Sequence, residues 1–93
     1  MKNPDREKIS KLEELPNVGR SISADLVSIG ICNPGELKGR DPLELYREVC
    51  EKSGQRQDPC LLDVFMSVIS FMEGNDPLPW WAFTEDRKKK YQI

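Results

Sequence analysis

Apolar positions along this chain recur at steps of three and four, a period that predicts helices and leaves no segment with the alternation of a strand. Val18, Ile22, Leu26 and Ile29 share one such face and predict a helix over residues 20–29. Ile9, Leu12 and Leu15 give an earlier stripe, assigned to a helical region within residues 4–14, with Ser10 and Glu13 as a capping box inside it. Leu43, Leu45, Tyr46, Val49 and Cys50 predict a helix from Pro42 to Ser53. From Cys60 to Glu73 ten of fourteen residues are hydrophobic, which predicts a helix over 59–73 surrounded by the others. Its polar positions Asp63, Ser67, Ser70 and Gly74 step by four, three and four and are expected to form one narrow wet stripe. Residues 34–38 have room for a short helical turn anchored by Leu37.

The punctuation between these segments agrees. Five of the seven prolines follow Asn or Asp: Asn3-Pro4, Asn33-Pro34, Asp41-Pro42, Asp58-Pro59 and Asp76-Pro77. Asx at the cap with proline at the first helical position is a helix-start signal. Gly30, Gly39, Gly54 and Gly74 fall where the helices should stop. The chain is therefore expected to be all-α. Its element order suggests a worn duplication, in which helices 4–14 and 20–29 mirror helices 42–53 and 59–73 across a connector of residues 31–41. Ser21, Ala24 and Ser28 would form a small-residue strip against which the first helix packs closely.

Past residue 75 the pattern changes. Asp76-Pro77-Leu78-Pro79 is too proline-rich to begin an ordinary helix, and Trp80, Trp81 and Phe83 place three aromatics within four residues. These rings either close the end of a small core or present an exposed platform for stacked bases or a protein partner. Lys88-Lys89-Lys90 reads as a solvated basic end.

Composition limits the partners. A chain of 93 residues holds one modest core, and 38% hydrophobic with 32% charged residues is ordinary globular usage. The net charge of −2 argues against a generic electrostatic binder of nucleic acid, so any phosphate contact has to be local and made largely by backbone. The longest apolar run is far short of a membrane span and no signal peptide opens the sequence, so a cytoplasmic protein without a membrane partner is expected. Cys32, Cys50 and Cys60 are three in number, follow no metal spacing and have no histidine to join them. Reduced, packed thiols are the expectation, with no metal and no cofactor. Cys60 opens the core helix, where the dipole would favour a thiolate. Paired carboxylates, a glycine-rich nucleotide loop and a nucleophile–base arrangement are all missing from the pattern, so no enzymatic role and no catalytic residue is assigned.

The stretch with the most chemistry is Leu15-Pro16-Asn17-Val18-Gly19, followed by Arg20 and Ser21. Proline ends the preceding segment, and Asn and Gly tolerate left-handed backbone. A break of this kind turns the first N–H groups of the next helix outward, where they and the helix dipole favour an anion. Pro16, Asn17, Val18, Gly19, Arg20 and Ser21 are the candidate nucleic-acid contacts, with Lys38 and Arg40 as supporting cations if the connector folds beside them. The plain alternative is a tight helix–helix turn that binds nothing.

Leu12-x-x-Leu15-Pro16-Asn17-Val18-Gly19, with Ala24, Leu26 and Gly30-Ile31, resembles the helix-hairpin-helix motif of DNA repair and replication proteins. Leu37-x-x-x-Asp41-Pro42-Leu43-Glu44-Leu45-Tyr46 looks like the middle of a tandem helix-hairpin-helix domain. Asp58-x-Cys60-Leu61-Leu62-x-Val64-Phe65 and Trp80-Trp81 are similar to the small bacterial pathogenicity-locus family, also labelled mitomycin-resistance proteins; this likeness covers residues 10–87. The resemblance implies a five-helix tandem helix-hairpin-helix (SAM-like) domain over residues 10–75. Residues 1–9 would be a partly ordered arm and 76–93 a Trp-rich closing segment with a basic tail. It also implies a weak, sequence-independent contact with the DNA phosphate backbone. The alternative function is a protein–protein interaction module, using Trp80, Trp81 and Phe83, whose hairpin is purely structural. The chain departs from the hairpin pattern at Asn17, where glycine is usual, and the Gly54-Gln55-Arg56-Gln57 loop lacks the pattern altogether. At most one hairpin is therefore fitted to phosphate.

Overall fold

The computed structural model describes residues 3–93. Among them are four α-helices, three 3-10 turns and no strand: a 3-10 turn at Leu12–Glu14, α1 at Arg20–Ser28, a 3-10 turn at Pro34–Leu37, α2 at Pro42–Ser53, α3 at Cys60–Met72, a 3-10 turn at Trp80–Phe83 and α4 at Thr84–Tyr91. No helix is long and apolar enough to cross a membrane.

Local chemistry accounts for the start and stop of these helices. Asp41 Oδ1 accepts the Leu43 N–H at 3.0 Å and Asp58 Oδ1 accepts the Cys60 N–H at 2.9 Å, so two of the five Asx-Pro pairs cap helices through the side chain. At the far end of α2, Gly54 takes φ +74° and the Gln55 N–H reaches back to the Cys50 carbonyl at 3.2 Å. The same closing bond ends α1 (Ile31 to Leu26) and α3 (Asn75 to Ser70).

The apolar core runs through α3, which touches α2, α4 and the turns at 34–37 and 80–83. Leu15, Leu26, Leu37, Leu45, Leu62, Phe65 and Val68 are completely buried around it. Tyr46 sits beside them and donates its hydroxyl hydrogen bond to the Gln57 carbonyl, bracing the α2–α3 loop. From the N-terminal side, the Arg6 guanidinium donates to the Phe71 and Asn75 carbonyls at 2.8 Å each and lies 4.8 Å from the Phe71 ring centre. A cation at the carbonyl end of α3 is favoured by the dipole.

Several expectations are corrected, the five-helix count among them, since four α-helices form among the described residues. No α-helix forms within residues 4–14; its helical part is the single 3-10 turn at Leu12–Glu14. Ile9, Leu12 and Leu15 are spaced three apart, which suits a 3-10 repeat as well as an α-helix. The Glu14 carboxylate, rather than a Ser10–Glu13 box, takes the N–H groups of Ser10 and Lys11 at 3.1 and 2.9 Å, and these two bonds hold its carboxyl below the usual carboxylate range. Without that first helix, Ser21, Ala24 and Ser28 stay exposed, and the two halves of the chain do not mirror one another.

The stripe on α3 expected to be wet is dry at its first two positions, half-buried at Ser70 and exposed at Gly74. Asp63 is 0% exposed and Ser67 is buried, because the 80–83 turn and α4 lie on this side of the helix. Asp63 Oδ1 receives Arg87 Nε at 2.7 Å and its Oδ2 receives the Thr84 hydroxyl at 2.8 Å. Arg87 is itself only 6% exposed and its Nη1 reaches the Ile93 carbonyl at 2.6 Å. The basic tail is thus the helix α4, with Lys88, Lys89 and Lys90 exposed and Arg87 turned inward.

Candidate functional site

The turn from Leu15 to Gly19 is built by local constraint. The Val18 N–H returns to the Leu15 carbonyl at 3.3 Å, Pro16 is buried and cannot extend the 3-10 turn, and Asn17 takes the left-handed conformation with φ +68°. Asn17 therefore adopts the backbone that glycine adopts most easily. Its amide faces inward: Nδ2 donates to the Ser67 hydroxyl at 3.1 Å and to the Leu78 carbonyl at 2.8 Å. The Ser67 hydroxyl passes its own hydrogen to the Val64 carbonyl at 2.6 Å. One side chain thus joins the hairpin, the core helix and the Trp-rich tail, a clamp between residues 50 and 61 positions apart that no local pattern marks.

Because the amide is turned inward, it caps none of the N–H groups that open α1. Gly19 precedes α1 with φ −107° and ψ −166°, an extended conformation open to any residue, and a Cβ placed on it would meet nothing within 4 Å. No side chain caps the helix. The N–H groups of Gly19, Arg20, Ser21 and Ile22 make no hydrogen bond among the described residues, while Gly19, Arg20 and Ser21 are exposed. Val18, by contrast, is buried and anchors the turn to the core. Neither the fold nor backbone strain requires a glycine at 19. Its effect is to leave the backbone open from outside.

The other proposed contacts lie elsewhere. Lys38 is exposed beside Arg6, Ser10 and Met72 in a shallow groove. Arg40 is half-buried, pairs with Glu48 at 3.4 Å, and borders a second groove of about 710 Å³ with Met66, Ile69, Phe83, Lys89 and Tyr91. No hydrogen bond, ion pair or groove connects either cation with Arg20 among the described residues. In the tail, Trp80 and Phe83 are partly buried and Trp80 packs on the core, whereas Trp81 is 63% exposed.

All three cysteines are free, and no group of three metal-ligating side chains occurs among the described residues. The Cys60 thiol is pushed up rather than activated, first by its hydrogen bond with the Asp58 side chain and then by burial. The charge nearest the helix start thus outweighs the dipole. Cys32 is exposed, so limiting iodoacetamide at neutral pH should label Cys32 well before Cys60; preferential modification of Cys60, mapped by peptide mass, would contradict this electrostatic assignment.

The family model described as the Cdd1 pathogenicity locus matches residues 5–89. A protein of Streptomyces lavendulae named mitomycin resistance protein McrB is 46% identical over 80 residues, covering 86% of this chain and 76% of that protein. No solved structure matches. With nearly its whole described length matched, this chain belongs to the pathogenicity-locus family.

Proposed function

We propose that the protein is a non-enzymatic helix-hairpin-helix module that holds the phosphate backbone of DNA, without regard to sequence, at the turn formed by Pro16–Ser21. The observation that carries this reading is the backbone around Gly19: four N–H groups at the start of α1 that have no acceptor among the described residues, with open space where a side chain would stand. Arg20 adds a cation that is not paired with any carboxylate among the described residues. Asn17 supplies the left-handed step that a hairpin glycine would supply, between the 3-10 turn at Leu12–Glu14 and α1. Lys38 and Arg40 contribute at most to the general field. The free thiols suit a reducing, cytoplasmic setting. The polar groups best suited to chemistry are engaged in structure, Asp63 with Arg87 and Cys60 with Asp58, which supports binding in preference to catalysis.

One hairpin in an acidic chain implies weak association, with Kd of about tens of micromolar or weaker at physiological salt and stronger at low salt. Two variants separate contact from folding. Gly19→Ala places a methyl group between backbone and phosphate in a conformation that alanine tolerates. Thermal stability should stay within about 1 kcal/mol of wild type while affinity for a labelled DNA duplex falls several-fold in fluorescence anisotropy. Arg20→Glu should weaken binding equally across sequences and lower the salt slope by about one. Wild-type titrations that show no binding at low salt, or two variants that bind as wild type does, would remove the hairpin from this role.

A further inference from the structure

The tail segment tied to the hairpin carries an aromatic surface that the fold does not use. Trp81 is 63% exposed and Leu78 is 48% exposed, while their neighbour Trp80 packs against the core. The two indoles meet edge to face with centres 5.5 Å apart and planes at 86°. Trp80 therefore acts as a fixed post, and a T-shaped contact of this kind occupies at most one face of Trp81. The 2.8 Å bond from Asn17 to the Leu78 carbonyl sets the position of this surface. Trp81 lies three residues from Leu78 and Gly19 two from Asn17, so each is within about 11 Å of that bond's ends along the chain.

We propose that Trp81 stacks against one unpaired base of a nucleic-acid strand whose phosphate rests on the hairpin, so that single-stranded DNA is preferred over duplex. The inference rests on the phosphate contact proposed for Pro16–Ser21 and adds the form of the ligand. Two observations favour a nucleic acid over a protein at this surface. The exposed large hydrophobic side chains among the described residues are Val27, Leu78 and Trp81, too few for the apolar centre of an interface that buries about 800 Å² per partner. The N–H groups of Gly19 to Ile22, without acceptors among the described residues, and Arg20 call for an anion, and a single rigid π-face on the segment that Asn17 ties to this turn is the pairing that single strands use. In a duplex the base faces are already stacked, and Trp81 would have nothing to meet.

The test compares a fluorescein-labelled twenty-nucleotide poly(dT) strand with a blunt duplex of the same length, by anisotropy at low salt, for wild type, Trp81→Ala, Trp81→Phe, Arg20→Glu and Gly19→Ala. The wild type should bind the single strand more tightly. Trp81→Ala should lose about five- to a hundredfold on the single strand and bind the duplex as before, while Trp81→Phe keeps most of the affinity. The exposure of Trp81 predicts that both variants fold, which circular dichroism checks. Unchanged single-strand affinity in Trp81→Ala, or an equal loss on both probes, overturns the stacking role; if Arg20→Glu and Gly19→Ala still weaken duplex binding, the hairpin reading survives that result. Failure of the wild type to bind either probe overturns both, and turns Trp81 into a candidate anchor for a protein.

Discussion

Replacing Asp63 by alanine should destabilise this protein more than any other single polar substitution, by about 3–5 kcal/mol. The reason is burial on both sides of the pair. Asp63 is 0% exposed, Arg87 is 6% exposed, and the 2.7 Å contact between them is reinforced by the Thr84 hydroxyl at 2.8 Å. Truncating Asp63 leaves a guanidinium in an apolar setting with only the Ile93 carbonyl at 2.6 Å to satisfy it. For a domain of this size that corresponds to a fall in Tm of at least about 12 °C, read by circular dichroism. The chain has one way to limit the loss. α4 holds only eight residues, all but Arg87 at least partly exposed, so it can detach and return Arg87 to water. Hydrogen exchange distinguishes the routes, because detachment accelerates the amides of residues 84–91 while α2 and α3 stay protected. The double variant Asp63→Leu/Arg87→Met should recover most of the stability, since it removes both charges and keeps the volume. A Tm within a few degrees of wild type for Asp63→Ala would mean that the pair does not secure the tail.

Asn17 should separate two effects that coincide in the wild type. Asn17→Ala forfeits the bonds to Ser67 and Leu78, each contributing about 1 kcal/mol, and forces a β-carbon residue without a polar group into φ +68°, costing about 1–2 kcal/mol more. Together this gives a loss of about 3–4 kcal/mol. Asn17→Gly keeps the left-handed step and loses only the bonds and some chain entropy, so about 2 kcal/mol is expected. Ser67 is not orphaned in either variant, because its hydroxyl still donates to Val64 at 2.6 Å. Denaturant unfolding of the two variants measures the difference directly. Equal losses would show that backbone strain at this turn is negligible and that the side-chain clamp accounts for the residue.

The helices were legible where local chemistry and periodicity acted together. Residues 42–53 carry an Asp cap that works, an apolar stripe and a terminal glycine, and α2 occupies that range. Residues 20–29 and 59–73 correspond to α1 and α3 to within two residues, closed by the glycines that were expected to stop them. The 4–14 segment misled because a step of three is shared by the α and 3-10 repeats. The turn at Leu15–Gly19 was legible as a break with outward N–H groups. The use of the Asn17 amide was not, since both acceptors lie more than forty residues away.

The tail marks the same division most sharply. Thr84–Tyr91 is polar almost throughout and has no apolar stripe, so nothing local announces α4. It docks because Asp63 offers a buried carboxylate to Arg87 and Thr84, partners on α3 and α4 that only folding brings together. Sequence alone determined the all-helical class, three of the four helices and the apolar identity of α3, because these depend on neighbours within a turn or two. Tertiary structure decided that Asp63 and Ser67 on the polar stripe of α3 are covered rather than wet, that the Asn17 amide faces inward while Gly19 stays exposed, and that Trp81 is exposed while Trp80 packs on the core. A polar side chain has the same sequence signature whether water or a distant partner satisfies it, and only the packed chain determines which.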